Sequence, residues 1–156
     1  ADHTYRGNQD YLVPAEGERL SRIRIGEDAS ISTQRYGETS VINGVQVSFH
    51  PAGHVLGSSQ VRVEHKGEVW VISGDYKLMP DATCAPFEPV KCHHFITEAT
   101  FGLPIYRWQP TEFIFEEINS WWRRNREKGK ASVIFAYSLG KSKRVMNGID
   151  KLFFVA

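Results

Sequence analysis

Alternating apolar and polar positions through the first two thirds of the chain predict β-strands. Two such segments meet at Asn43-Gly44, a dipeptide that readily adopts the positive φ angles of a type I′ turn. Two more meet near Lys66-Gly67. The pattern therefore predicts two hairpins, with strands at 40–42 and 45–49 and at 60–64 and 68–73. Shorter strands are predicted at 11–13, 23–25 and 94–97, the last of them buried, and a proline-punctuated loop at 80–89.

The last third of the chain changes to helical spacing. A helix is predicted from Thr111, as its N-cap, to about Gly129, because apolar residues recur three or four positions apart. These are Phe113, Ile114, Ile118, Trp121 and Trp122. A buried strand is predicted at 132–136 and a second helix at 140–148, before an apolar run at 152–155. This alternation of strand and helix indicates a parallel α/β unit.

The composition adds that the chain is globular and not a membrane protein. Of 156 residues, 41% are apolar, which is enough for a packed core, and no apolar stretch reaches 18 residues. Cys84 and Cys92 form no CxxC pair, so we expect reduced thiols and a cytoplasmic location. Because the chain begins at Ala1 with neither an initiator Met nor a signal-peptide pattern, we expect a piece of a longer protein.

Positively and negatively charged residues are unevenly distributed along the chain, which the overall net charge conceals. The net charge is only +1. Residues 1–100 contain 9 Lys/Arg against 13 Asp/Glu, a balance of −4, whereas residues 101–156 contain 10 against 5, a balance of +5. Such asymmetry between the halves of a chain is a hint of nucleic-acid contact at the basic end.

Four segments hold residues suited to metal chemistry. Glycines flank His54 in the loop Pro51-Ala52-Gly53-His54-Val55-Leu56-Gly57-Ser58, which follows a predicted strand. Asp75 follows the apolar strand that ends in Ser73-Gly74, and Glu98 follows the strand at 94–97. The fourth segment is the pair Asp2-His3. Each has an ordinary structural alternative, since polar loop histidines, Ser-Gly-Asp turns and solvated acids are common.

The order of these residues resembles the metallo-β-lactamase superfamily and, within it, the β-CASP nucleases that act on DNA or RNA. Ala1-Asp2-His3 matches the last three positions of the family signature His-x-His-x-Asp-His, whose two leading histidines would precede Ala1. His54 matches the histidine of the AGHxxGS loop, and Asp75 matches the aspartate of the SGD motif. Glu98 matches the acid that opens the β-CASP motifs.

Three further segments look like the bacterial exonucleases associated with DNA ligases, a group similar to mRNA 3′-end processing factors. They are Pro86-Phe87-Glu88-Pro89-Val90, residues 101–108 and Tyr137-Ser138-Leu139-Gly140-Lys141. The resemblance spans nearly the whole chain and implies an α/β fold. Residues 1–108 would form a metallo-β-lactamase-type β-sandwich flanked by helices, with an incomplete N-terminus. Residues 109–156 would begin the β-CASP α/β cap.

The resemblance also implies two divalent metal ions, zinc first and manganese as the alternative. Asp2 and His3 would bind one ion, His54 the other, and Asp75 would lie between them. A hydroxide activated by the two ions would attack the phosphodiester. Asp2, Asp75 and Glu98 are the implied catalytic residues, with Glu98 orienting a ligand histidine or holding a proton for the leaving group. Because the remaining family ligands fall outside it, we expect weak metal occupancy in the chain as given.

The implied function is a metal-dependent nucleic-acid phosphodiesterase, a DNA exonuclease linked to repair. DNA is favoured over RNA as the partner, a DNA ligase or repair complex is a further candidate partner, and no membrane is involved. Basic residues of the last third are candidates for phosphate contacts, although a solvated helix end is their more ordinary interpretation. They are Arg123, Arg124, Arg126, Lys141, Lys143 and Arg144.

Three alternatives remain open at this stage. A thioester or lactam hydrolase of the same fold usually lacks the acid motif at Glu98 and the basic cap. An RNA-processing hydrolase of the same fold is the second alternative. A non-catalytic binding module is disfavoured because all the visible ligand positions are filled.

Overall fold

A computed structural model describes residues 4–150. The chain divides into two compact units that meet between Ala99 and Thr100. This division lies earlier than the boundary placed near residue 108, and the assignment of the two family domains stays a prediction. Within residues 4–150, no helix combines the length and the apolar character that crossing a membrane requires.

The first unit begins with two parallel strands joined by a helix. Strand β1 (Asp10–Pro14) pairs with β2 (Ser30–Gln34), and helix α1 (Glu18–Ile25) connects them. The strand predicted at 11–13 is confirmed, whereas the strand predicted at 23–25 is wrong because these residues form the last turn of α1. Three alternating residues fit a helix as well as a strand, and the ion pair of Glu18 with Arg22 at 2.9 Å favours the helix.

A five-stranded sheet forms the rest of the first unit, in the order β3-β4-β5-β6-β7. The strands are β3 (Thr39–Ile42), β4 (Val45–Pro51), β5 (Ser59–His65), β6 (Glu68–Ile72) and β7 (His94–Ile96). Both predicted hairpins are confirmed, β3 with β4 and β5 with β6. Asn43-Gly44 has the expected positive φ angles, 50° and 79°, and the second turn, Lys66-Gly67, also has positive values, 49° and 84°.

Strand direction decides which chain segments meet at one edge of this sheet. Strands β4 and β6 are each antiparallel to β5, and β7 is parallel to β6. Therefore β4, β6 and β7 run the same way, and their carboxyl ends lie along one edge. The register places Phe49, Val61, Ile72 and Ile96 in one row across the four strands, just before that edge.

The centre of the first unit is packed around β5 and β6, with Gln60, Val71 and Ser73 fully buried. Strand β7 was expected to be buried, and this expectation is wrong: Phe95 is 45% and Ile96 51% exposed. Within residues 4–150, β7 is the outermost strand of its sheet and has no hydrogen-bonded neighbour beyond it. An apolar sequence does not distinguish such an edge strand from a central one.

The second unit contains two helices, α2 (Thr111–Glu127) and α3 (Lys141–Gly148). Both agree with prediction, although Pro110 and not Thr111 occupies the N-cap of α2. The two helices run in the same direction, because Arg144 contacts Thr111 at 3.5 Å while the Asp150 backbone N–H donates to Asn119 Oδ1 at 2.9 Å. Gly129, with φ of 63°, follows the end of α2 as predicted.

The strand predicted at 132–136 is wrong for the residues that the structure describes. The segment forms no strand and is exposed, with Val133 at 67% and Phe135 at 96%. A strand needs a neighbour for its backbone hydrogen bonds, and the described part of the second unit supplies no other strand. The apolar run at 152–155 lies outside the described residues. The mixed α/β fold class itself, with sheets flanked by helices, is confirmed.

Candidate metal centre

Two of the predicted site residues follow codirectional strands at the same sheet edge. His54 comes three residues after β4, and Asp75 comes three residues after β6. Their side chains approach, with His54 Nε2 and Asp75 Oδ2 3.9 Å apart. The two side chains are 35% and 41% exposed, so both can reach a ligand from solvent. Residues 21 positions apart in the sequence are thus brought together by the sheet.

The donor atoms of this pair fit a zinc ion. Imidazole nitrogen and carboxylate oxygen are ordinary zinc ligands, with bond lengths of about 2.0–2.2 Å. The 3.9 Å separation of His54 Nε2 from Asp75 Oδ2 is shorter than two such bonds laid end to end. A single ion could therefore contact both atoms, and two ions could each take one. The two residues would supply part of a metal site, not a complete one.

The other predicted ligands, Asp2 and His3, lie outside the described residues. Within residues 4–150, no three His, Cys, Asp or Glu side chains gather closely enough to hold one ion. Glu98 follows β7 at the same sheet edge and is half-buried, but it forms no such group with His54 and Asp75. Its backbone carbonyl accepts a hydrogen bond from Thr97 Oγ1 at 2.8 Å. The roles of Asp2, His3 and Glu98 stay predictions.

Gly53 allows the His54 loop to lie directly against the segment that follows Asp75. Its φ angle is 72°, a left-handed conformation that side chains other than glycine rarely adopt. A Cβ atom at this position would overlap the carbonyl oxygen of Lys77 and would lie 2.9 Å from the backbone nitrogen of Phe87. The Lys77 backbone N–H also donates to the Ala52 carbonyl at 2.9 Å. The glycine before His54 is therefore required by this contact.

Sequence reasoning missed two residues that join the end of β4 to the loop at 80–89. The buried Gln60 Nε2 donates to the Pro51 carbonyl at 3.0 Å and to the Glu88 carbonyl at 2.6 Å. The Glu88 backbone N–H donates to the same Pro51 carbonyl at 3.1 Å. The Glu88 carboxylate also meets His50 Nδ1 at 2.8 Å. A polar residue inside a strand gave no sequence signal of such a role, because its partners are 9 and 28 positions away.

Asp81 anchors the segment after Asp75. Its carboxylate accepts hydrogen bonds from Lys77 Nζ at 2.6 Å, from the Thr83 backbone N–H at 2.9 Å and from Thr83 Oγ1 at 2.7 Å. Burial opposes ionisation of this carboxyl, but the hydrogen bonds from Lys77 and Thr83 outweigh it and hold the pKa of Asp81 below its usual value. The segment that follows Asp75 is therefore held by a charged residue.

The six predicted nucleic-acid contacts fall into two groups within the second unit. Arg123, Arg124 and Arg126 are exposed near the end of α2. Lys141, Lys143 and Arg144 lie in the first half of α3, where Arg144 contacts the first residue of α2. At 1.5 Å per residue, roughly 20 Å separates the two groups along α2. We refer to them as the α2 group and the α3 group.

Comparisons with known proteins give relatives whose names indicate that they act on nucleic acids. No family model matches the chain. It is 30% identical, over 97% of its length, to a probable DNA ligase of Opitutus terrae. It is 34% identical over 62% of its length to the endoribonuclease ysh1 of Emericella nidulans, and 26% identical over 78% to cleavage and polyadenylation specificity factor subunit 3 of Dictyostelium discoideum. The chain spans 15%, 11% and 16% of these three relatives.

Proposed function

Because this chain belongs to the metallo-β-lactamase superfamily and to its β-CASP group, we propose that the whole protein is a metal-dependent nucleic-acid phosphodiesterase. The observation that carries the proposal is the pair His54 Nε2 and Asp75 Oδ2, 3.9 Å apart at the edge where β4 and β6 end. An imidazole and a carboxylate at this distance, half-exposed on glycine-bearing loops, suit a metal ion better than they suit packing. The segments that carry them match the AGHxxGS and SGD motifs.

Each residue has a defined part in the proposal. Neutral His54 would donate one lone pair, and the Asp75 carboxylate has two oxygens with which to bridge two ions. Asp2 and His3 would complete the ligand set from the start of the chain. Two divalent ions, when bound, would supply a nucleophile at neutral pH and stabilise charge on the transferring phosphoryl group. Glu98, at the same sheet edge, would orient a ligand or hold the leaving-group proton.

DNA is the proposed substrate, cleaved from an end and in connection with repair. The relative named as a DNA ligase matches 97% of this chain, whereas the endoribonucleases match 62% to 78% of it. RNA processing is the second candidate, because several relatives carry the name endoribonuclease. We further propose zinc as the resident metal, manganese as the alternative, a cytoplasmic location and a DNA ligase as partner. The support for these finer points is the resemblance of the motifs.

Substitution of Asp75 tests the assignment. Asp75→Asn keeps the shape of the side chain but removes its charge, and we expect cleavage by the whole protein to fall at least about 100-fold, the upper range for residues that merely support ligands. Asp28→Asn, at an exposed position of the α1–β2 connection, is the matched control and should cleave normally. Full cleavage activity in Asp75→Asn would contradict the proposed metal centre.

The substrate is tested with single-stranded DNA and RNA of one sequence, each labelled in turn at either end, in the presence of Zn²⁺ or Mn²⁺. Release of single labelled nucleotides from DNA is the expected result. Internal cuts in RNA alone would favour the second candidate. Hydrolysis of a thioester without cleavage of either nucleic acid would overturn both.

A further inference from the structure

Ser58 is the centre of the hydrogen bonds that shape the loop carrying His54. Its Oγ atom accepts the backbone N–H of His54 and that of Val55, each at 3.1 Å. Its backbone N–H donates to the Val55 carbonyl at 2.9 Å, and its carbonyl accepts the Ala52 N–H at 3.2 Å. Ser58 is only 9% exposed, so water competes little for these bonds. Both sides of the loop around His54 are therefore tied to one residue.

Tyr36 connects this residue to the rest of the first unit. Its hydroxyl donates to the Ser58 carbonyl at 2.9 Å, and its backbone forms a bridge with Phe49 of β4. Burial, with smaller contributions from the nearby Glu16 and Cys84, raises the pKa of Tyr36 to about 12. The hydroxyl consequently stays protonated and can donate throughout the neutral range. Tyr36 lies in the β2–β3 connection, outside the His54 loop, and it holds Ser58 from there.

A metal ligand on a loop binds tightly only when the loop is already ordered, because ordering it during binding costs conformational entropy. His54 lies beside Gly53, which has φ of 72° and little intrinsic preference for one conformation. The bonds from Ser58 oppose that freedom at the two peptide groups nearest the imidazole. The same loop brings His54 Nε2 to 3.9 Å from Asp75 Oδ2.

We propose that Ser58, supported by Tyr36, is a positioning residue that holds His54 in place for a metal ion. The inference rests on the proposed metal centre but assigns a role to residues that contact neither the ion nor the substrate. It predicts that metal affinity and local order at His54 change together, while the global stability of the fold changes less. Residues that act through ligands in this way typically contribute 10–100-fold to metal affinity.

The test is a Zn²⁺ titration of the whole protein by calorimetry, combined with backbone amide hydrogen exchange at His54 and Val55. Ser58→Ala removes the Oγ acceptor, and we expect about 10–100-fold weaker Zn²⁺ binding and faster exchange at both amides. Ser58→Thr keeps an Oγ and should restore most of the Zn²⁺ affinity and most of the slow exchange at the two amides. Tyr36→Phe loses only the supporting hydroxyl and should give the same changes to a smaller extent. Ser48→Ala is the matched control, because Ser48 is 2% exposed and hydrogen-bonds His50, not the His54 loop.

Unchanged Zn²⁺ affinity in both Ser58→Ala and Tyr36→Phe would overturn the inference. If Ser58→Ala does not fold, Tyr36→Phe decides alone, and wild-type affinity with wild-type exchange at His54 would count against the role. His54→Ala separates this inference from the proposed function. Weaker binding in His54→Ala with normal binding in Ser58→Ala would remove only the positioning role. Normal binding in His54→Ala would remove the metal centre and the inference with it.

Discussion

At the scale of single residues, the candidate metal centre depends on backbone geometry as much as on its ligands. Gly53 lets the His54 loop contact the Lys77 carbonyl, and Gln60 joins the end of β4 to Glu88. Neither residue could bind a metal through a charged group. Each nevertheless determines where the loop before His54 lies. Substitutions at such positions should therefore alter the site without removing a ligand.

Gly53→Ala should cost about 2–4 kcal/mol in the free energy of unfolding. About 1–2 kcal/mol comes from a side chain at a left-handed φ, and the rest from overlap with Lys77 and Phe87. Gly44→Ala is the matched control, since Gly44 has φ of 79° but nothing within 4 Å of an added Cβ. Gly44→Ala should lose only the about 1–2 kcal/mol that comes from a side chain at a left-handed φ. Urea unfolding measures both, and equal losses in the two variants would contradict the close contact at Gly53.

Asp81→Asn should destabilise the protein near neutral pH by about 1.5–3 kcal/mol, the usual range for a hydrogen bond to a charged group. The folded-state pKa of Asp81 is lowered from 3.8, so its stabilisation is complete well above that value. It is lost as the pH falls below 3.8 and through the folded-state pKa. The difference from wild type in urea unfolding should therefore shrink in acid. A difference that stays constant between neutral pH and about pH 3 would argue against the ion pair with Lys77.

At the scale of elements, strand β6 contributes to the packed interior of the first unit and also leads to Asp75. Val71 is fully buried in this strand, and the next residue, Ile72, lies in the row that aligns β4, β5 and β7. Packing at Val71 and the position of Asp75 are therefore linked through a short stretch of backbone. Loss of that packing should weaken the whole sheet and not only one side-chain contact.

Val71→Ala should reduce the free energy of unfolding by about 2 kcal/mol, from two buried methyl groups and the small cavity they leave. Val41→Ala in β3, where Val41 is 67% exposed, removes the same atoms and should cost less than about 0.5 kcal/mol. Thermal or urea unfolding of the two variants provides the comparison. A similar cost at both positions would contradict the burial of Val71 within the packed interior of the first unit.

At the scale of the whole molecule, charge separates the two units. The first hundred residues have a balance of −4 and the remainder +5, and the α2 and α3 groups account for six of the ten Lys/Arg in the basic part. The two groups lie roughly 20 Å apart along α2, the length of about six nucleotides in one strand of a stacked B-form helix at about 3.4 Å per nucleotide. A stacked strand of at least about six nucleotides could therefore contact both groups at once.

Replacing the three basic residues of each group by glutamine tests this predicted interface through the salt dependence of nucleic-acid binding. Removing one phosphate contact should lower the slope of log affinity against log salt by about 0.7 for a single strand. We expect the triple variants of the α2 group and of the α3 group each to lower both the affinity and the slope. Lys66→Gln, at the tip of the β5–β6 hairpin, is the control. An unchanged slope in both triple variants would contradict the predicted interface.

Local chemistry determined much of this protein from its sequence alone. Asn43-Gly44 specifies its hairpin because Asn and Gly readily adopt positive φ angles, and Gly67 supplies the same freedom in the second turn. The bounds of α2 and α3 follow from apolar spacing and from Gly129 and Gly140. The order of the motifs around His54, Asp75 and Glu98 also indicated the family without any structure.

Tertiary structure decided what depends on distant partners. Residues 23–25 became helix, 132–136 became an exposed segment without a strand, and β7 became an outer strand, because each outcome depends on neighbours that local sequence does not specify. The shared direction of β4 and β6 places His54 beside Asp75 at 3.9 Å. The roles of Ser58 and Gln60 arise in the same way, since a hydroxyl or an amide acquires its function from the groups that folding brings to it.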